Sequence, residues 1–450
     1  MSNFRPINRD TGFLLPPSVD EWLPQRHLAR FVVEVVDRLD LSALEKAYRG
    51  SGSACYHPAM LLALLIYGYA TRVFSSRALE RATYDSVAVR FIAGNEHPDH
   101  DTIANFRKRF LGQIEPLFVE VLKLARAMGM LKLGTVALDG TKVHANASRH
   151  SALSYGHAKK LEKQLKREVK QLLRLAEAAD GINTPDGMSI PEELERREQR
   201  LAAIAEAQAK IEARVEERER TEYQAKLAAR EEKAKRTGKK PRGRPPEPPS
   251  GGVAAKEQIN LTDEDSRIMP VASGGFDQCY NAQAVVATES LLIVARDVVQ
   301  TTNDHPHLAP MLGQLKALPR GLGRVRRLLA DAGYASEANV ERCEIAKIEP
   351  LIALGRERHH GGWRRRFAPA PKAPLPTATA LERMQHRLKT PQGRRLYALR
   401  KQTPEPVFGG IKSAMGFRQF LLRGLPNVRG EWNLVAMSWN IKRMFALQPV

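Results

Sequence analysis

The alternation of apolar and polar positions divides the chain into stretches of different character. Pro58–Ala70 is almost wholly apolar and reads as one buried helix. Residues 75–92 read as a second helix, with Ser75 and Ser76 as N-caps and Leu79, Ala82, Val87 and Val89 on its apolar side. A polar turn ending in Asp101 follows, and a third helix starts near Thr102 and runs to Met128. The short run Val136-Ala137-Leu138, bounded by Gly134 and Gly140, reads as a buried strand that ends in Asp139. Across 157–236 apolar residues recur every three or four positions among Lys, Arg, Glu and Ala. Leu161, Leu165, Val169 and Leu172 form one series, and Leu201, Ile204, Ala207, Ile211 and Val215 another. That predicts two long helices in a hairpin or coiled coil. Strand character returns with 280–287 and 291–299, which suit a hairpin. A helix over 307–318 follows, then a strand over 325–331 ending in Asp331, a helix capped by Ser336 and a short strand at 351–354. From about residue 378 the chain reads as helical to its end.

Composition narrows the function. The 450 residues carry 71 Lys+Arg against 50 Asp+Glu, a net charge of +21, which favours a polyanionic partner, nucleic acid first. Hydrophobic residues make up 43% of the chain, too many for a wholly disordered protein. The 6% aromatic content is too sparse for a stacking-platform RNA binder. Cys55, Cys279 and Cys343 are scattered, which excludes a zinc ribbon and argues against a disulfide framework. No signal peptide is evident, and the longest apolar run is too short for a bilayer, so a cytoplasmic, nucleoid-associated protein without a membrane partner is expected.

Basic residues cluster in two places. Arg107 and Lys108 lie on the third helix, which could serve a helix-turn-helix reader of DNA or the solvated face of a plain bundle. Residues 237–252 form a Pro/Gly linker expected to be extended and mobile. Its core, Pro241-Arg242-Gly243-Arg244-Pro245, matches the AT-hook core, so Arg242 and Arg244 suit minor-groove contact as well as a merely basic linker.

Three acids could carry chemistry. Asp139 and Asp331 each follow an apolar strand and precede a glycine, so in one sheet their carboxylates would meet at one edge. Hard oxygen ligands of this kind suit Mg²⁺. Two such ions ~4 Å apart clamp the attacking and leaving oxygens of a phosphoryl displacement. Glu405 is the third: Thr403 can cap, Pro404 fits the first helical position, and Glu405 begins the helix. Lys412 lies about two turns on, and Tyr397 and Arg400 lie upstream, all three placed to grip a DNA phosphate. His305 and His307 lack further ligands at zinc spacing.

Taken together, the chain resembles the DDE transposases of bacterial insertion sequences. The resemblance rests on Tyr56-His57-Pro58, 75–80 (SSRALE), 98–103 (PDHDTI) with Phe106-Arg107, 138–142 (LDGTK) with Asn146-Ala147-Ser148, 330–334 (ADAGY) and 405–409 (EPVFG) with Ile411-Lys412. Tyr397, Arg400, Glu405 and Lys412 resemble the family's Tyr-Arg-Glu-Lys box. Four residues separate Arg400 from Glu405 where the family's box has three. Cys279 and Ala287 stand where a glycine and an acid are common.

The resemblance implies a mixed α+β and α/β fold with a helical DNA-end-binding domain over 1–130. An RNase H-like mixed sheet flanked by helices would begin at 131–156. It would be interrupted by the helical hairpin 157–236 and the basic linker 237–256, and resume over 257–450. It further implies that Asp139, Asp331 and Glu405 hold two Mg²⁺, with Mn²⁺ as the alternative. The activity implied is cleavage of double-stranded DNA at element ends and joining of the freed 3′-hydroxyl to target DNA, by a homo-oligomer on DNA. Two rival readings share these residues: a metal nuclease that cuts without joining, and a catalytically inactive DNA-binding remnant.

Overall fold

The apolar run 136–138 forms the middle of a sheet. Its three side chains are fully buried, and burial of this kind supplies most of the force that holds a strand inside a protein. The computed structural model describes residues 18–48, 55–179, 190–237, 243–249, 251–271, 274–355 and 372–448. Its strands are β1 (Leu133–His144), β2 (Ala152–Ser154), β3 (Gln258–Asn260), β4 (Arg267–Pro270), β5 (Phe276–Ala287), β6 (Ile293–Val299), β7 (Gly323–Ala330) and β8 (Glu349–Ile352). Contacts divide the chain into two units, Met1–Asn146 with Cys279–Val450, and Ala147–Gln278.

In the first unit the strand order is β6-β5-β1-β7-β8. β5 and β6 form the expected antiparallel hairpin, and β5 also runs antiparallel to β1. β7 and β8 are parallel to β1. Helices cover the sheet, as the sequence leads one to expect of a mixed sheet. Leu388, Leu396, Tyr397 and Leu399 pack on Ala137, Leu329 and Leu351. The helix Leu425–Leu447 packs on β6 and on the helices Pro58–Ala70, His100–Ile114 and Leu117–Ala127. Its Trp432 Nε1 donates to the Gln283 carbonyl at 3.1 Å, and its Asn440 amide bonds both backbone groups of Ile293. The helices expected as a separate N-terminal domain therefore cluster in one unit with the sheet.

Two predicted helices are each broken in two. Ser86 turns extended and its hydroxyl caps Val89 N–H, separating Ser76–Asp85 from Val87–Ile92. Pro116 lies between His100–Ile114 and Leu117–Ala127, where an imino nitrogen has no proton to continue the ladder. Asp99, not Asp101, is the cap of the third helix and accepts Thr102 N–H at 2.7 Å.

The second unit holds the predicted helical hairpin, Tyr155–Ala179 and Ile190–Thr237. Leu165, Ile204, Ala207, Ile211 and Val215 form its apolar seam, together with Leu153 of β2 and Ile259 of β3. Arg197–Glu168 and Gln208–Glu162 contacts show that the helices run antiparallel. The linker residues Gly243 and Arg244 are held here rather than free: Arg230 donates to their carbonyls at 2.8 and 3.1 Å. Among the described residues no helix is long and apolar enough to cross a membrane.

Candidate active site

Leu138 and Ala330 are register partners in the parallel pair β1–β7, so Asp139 and Asp331 leave adjacent strands at the same level. β7 stops there. β1 does not: it continues to His144, paired with β5 and, at His144 itself, bridged also to Gln419. Asp139 thus lies within a strand and not at its end, because the polar residues Thr141 and Lys142 find backbone partners on β5. The Asp139 carboxylate accepts Gly140 N–H at 2.8 Å, and the Asp331 carboxylate accepts Gly333 N–H at 2.9 Å. Burial, and after it the charge of Asp331, push the Asp139 carboxyl up to about 7. Burial also raises Asp331, against the pull of Gly333 N–H and Arg400.

Glu405 is brought to the same end of the sheet by the helix Pro404–Gly409. It is linked to Asp139 through Arg400, whose Nη1 lies 3.3 Å from Asp139 Oδ2 and whose Nη2 lies 3.7 Å from Glu405 Oε1. The Arg400 side chain is 13% exposed while Glu405 is 58% exposed, so the guanidinium is the inner member of that pair. Arg400 Nε is buried and makes no hydrogen bond. Thr403 does not cap this helix; its hydroxyl donates to the Leu399 carbonyl at 2.7 Å instead.

The other basic and aromatic residues of the expected box are held differently from a free phosphate grip. Lys412 Nζ donates to Thr141 Oγ1 and to the Lys142 carbonyl, both at 2.6 Å, and burial lowers its pKa. It braces β1 just beyond Asp139. Tyr397 packs over the sheet face beside Leu396 and Leu399.

A fourth carboxylate, Asp304, stands at this site and was not singled out from the sequence. Its Oδ1 accepts Asn281 Nδ2 at 2.7 Å and Gln283 Nε2 at 2.8 Å. Gln283 lies opposite Gly140 in the β1–β5 register, and its amide oxygen accepts the Tyr334 hydroxyl. Gly140 is what lets this cluster form. A Cβ there would come within 2.3 Å of Gln283 Nε2, 2.8 Å of Asn281 Oδ1 and 3.0 Å of Asp304 Oδ1. The buried Asn281 Oδ1 has no hydrogen-bond partner. Near Gly333 the pattern repeats: a Cβ would stand 3.0 Å from Asp331 Oδ1 and 3.4 Å from Asp304 Oδ2. The Tyr334 phenol is raised by burial and by Asp304, Asp139 and Asp331. Asp304 follows β6 in a loop, where no periodic pattern marks it; only the proximity of a glycine after Asp139 hinted that something fills that space.

Asp139 and Asp331 fit a hard divalent cation in chemistry. They are oxygen donors whose burial, together with the charge of Asp331 at Asp139 and of Asp304 at Asp331, favours protonation unless positive charge is supplied. Among the described residues no three His, Cys, Asp or Glu side chains are grouped closely enough to hold a metal ion. Glu405 is held off by the intervening guanidinium. His305 donates to the Ala335 carbonyl at 2.8 Å and His307 bonds the Thr301 hydroxyl, which accounts for both without zinc.

Of the expected DNA-contact residues outside the sheet, Arg107 is a correction. It is 7% exposed and bonds Tyr69 Oη at 3.3 Å and the Phe74 carbonyl at 3.1 Å. It stands next to the fully buried Glu431, which accepts Tyr69 O–H at 2.7 Å and the Leu421 and Leu422 N–H groups. A buried guanidinium committed to this network cannot meet a phosphate. Its neighbour Lys108 is exposed. Arg244 is 83% exposed and paired with Glu247, while Arg242 lies outside the described residues.

Residues 17–109 match the transposase domain family DUF772, and residues 372–445 match the transposase DDE domain. The second match contains Glu405, Arg400 and Lys412. Asp139 and Asp331 fall outside both. No curated protein and no solved structure matches the chain. The two matches cover the stretches 17–109 and 372–445, which are similar to domains of transposases, proteins of DNA transposition. They support, more narrowly, a DDE transposase of the insertion-sequence type, a family that generally uses divalent metals.

Proposed function

We propose that the chain cuts double-stranded DNA at the ends of its element and joins the freed 3′-hydroxyl to target DNA, by phosphoryl transfer at Asp139, Asp331 and Glu405. The observation that carries this reading is the register Leu138–Ala330, which sets two half-buried carboxylates side by side. The sheet order, with an antiparallel β6-β5-β1 half and a parallel β1-β7-β8 half, favours an RNase H-like core. Two Mg²⁺ ions, or Mn²⁺ in their stead, would supply positive charge and Lewis acidity at the phosphate, held by Asp139 and Asp331 and by Glu405 once Arg400 no longer stands between them.

The chain's own residues do the rest. Arg400 neutralises Asp139 and Glu405 from within, and exchanges that contact for a phosphate oxygen when DNA arrives. Lys412 keeps β1 in register beyond Asp139. Asn281, Gln283 and Tyr334 fix Asp304 beside the two aspartates. Lys108 and the exposed Arg244, with Arg242, supply sequence-independent phosphate or minor-groove contact. The helices of 1–130 hold the DNA ends, and a homo-oligomer pairs two ends in the nucleoid.

A strand-transfer assay with pre-cut ends separates joining from cutting alone. Joined product supports the transposase reading; cleavage without joining would leave a nuclease, and binding without either would leave a remnant. Gel filtration with end DNA that yields only a one-to-one complex would count against the oligomer.

A further inference from the structure

The amino ends of the same strands carry a second feature. A cleft of about 870 Å³ is walled by the first residues of β1 and β7, the turn 320–322, the end of the helix Leu308–Ala317 and the turn before β8. Eight Lys and Arg residues line it, against Glu289 as the acid among its described lining residues. Lys132, Lys316, Arg320, Arg324, Arg326 and Lys347 are all exposed. Pairing absorbs little of this charge. Lys132 lies 3.8 Å from Glu289 with both side chains in solvent, a contact of small worth; Arg327 is held more closely, at 2.9 Å from Glu349, and Arg126 donates to the Leu131 carbonyl at 3.1 Å, which leaves its charge unpaired by any acid among the described residues of the cleft.

Two simpler accounts fall short. A cation in the last turn of a helix complements its dipole, which explains Lys316. It does not explain Arg324 and Arg326, which sit two apart on β7 and so face the same side. A small anion site would need convergent, buried donors; these side chains are long, exposed and spread around a rim over the buried Leu133, Leu322 and Ile348. Spread cations of this kind suit a run of backbone phosphates.

From Leu133 to Asp139 is six residues of strand, about 20 Å at the rise of a β-strand. Helices cover the sheet between the two ends. We propose that the cleft binds the phosphate backbone of a DNA duplex other than the one that meets Asp139 and Asp331. The proposal rests on the reading of DNA as substrate but assigns a separate surface, built by the reverse end of the catalytic sheet.

The test uses the full chain in EDTA, with one unlabelled duplex at saturation and a second, labelled duplex titrated at several salt concentrations. Arg320→Gln/Arg324→Gln/Arg326→Gln alters exposed side chains, and thermal melting checks that it folds. The expected result is loss of the second duplex and a fall of about 2–3 in the slope of log affinity against log salt, near one per cation removed. Uptake of the second duplex by the triple variant with unchanged affinity and slope overturns the proposal. So does a wild-type chain that takes up only one duplex. Cleavage of saturating DNA in Mg²⁺ is read in parallel. If wild type does not cleave but the triple variant loses the second duplex, the active-site reading fails and the cleft stands.

Discussion

Asp139 and Asp331 follow directly on Leu138 and Ala330, two residues paired across parallel strands. The two carboxylates are therefore neighbours by backbone register and not by side-chain accident. Nothing about their proximity depends on a loop. The cost is electrostatic: burial disfavours the Asp139 charge, Asp331 repels it as well, and Asp139 answers by holding its proton up to about 7. Arg400 offsets part of this from the other side.

That cost makes stability depend on pH. The Asp139 carboxyl stands at about 7 in the folded chain, against about 4 in an unfolded one. The folded state binds this proton more tightly. Its contribution is complete below the unfolded value and is lost as pH rises through about 7. Melting temperature in EDTA should fall between about pH 4 and 7. Asp139→Asn should flatten the fall, and added Mg²⁺ should raise the high-pH melting temperature. A melting temperature that rises over this range in EDTA would contradict the assignment.

Arg107 and Lys108 adjoin in sequence and should behave oppositely. Truncating Arg107 leaves Glu431 buried beside an emptied site, and Arg107→Ala should destabilise the fold by about 3–5 kcal/mol. Lys108→Gln should leave melting unchanged and lower the salt slope of DNA binding by about one. Chemical denaturation and binding titrations on both variants check the pair.

Gly140→Ala puts a methyl group into the amides that hold Asp304. Overpacking of this kind costs about 1–3 kcal/mol, and it displaces the strand segment that carries Asp139. Cleavage should drop at least about tenfold, the scale on which displaced supporting groups are felt. The effect should appear in the turnover rate and not in DNA affinity.

Much of this was readable beforehand. Pro58–Ala70 is an unbroken apolar run opened by proline, and the strand segments that lead into Asp139 and Asp331 are short apolar runs punctuated by glycine. The burial of Arg107 was readable too: Ile103, Phe106 and Phe110 trace an apolar stripe, and position 107 falls on it, four after 103 and three before 110. The adjoining charges of Arg107 and Lys108 mask that stripe. Other features had no local signal. The extension of β1 through Thr141 and Lys142 depends on its pairing with β5. Asp304 lies in a loop and joins the site only when β5 supplies Asn281 and Gln283. The Arg400 bridge needs the helices after residue 380 to return to the sheet, a contact that no spacing encodes.

Arg400→Ala removes the cation shared by Asp139 and Glu405. The Asp139 proton should be held to higher pH, so the pH profile of cleavage should shift upward, with the rate below that of wild type at neutral pH. Arg400→Lys restores charge without the two-pronged geometry and should recover only part of the rate. A profile that does not move would assign Arg400 a structural role alone.

The most direct measurement is cleavage of element-end DNA by Asp139→Asn, Asp331→Asn and Glu405→Gln, with DNA binding followed in the same samples. The account predicts that each variant binds DNA like wild type and loses cleavage by about a hundred- to a thousand-fold or more. Cleavage that persists at the wild-type rate in any one of the three would contradict it.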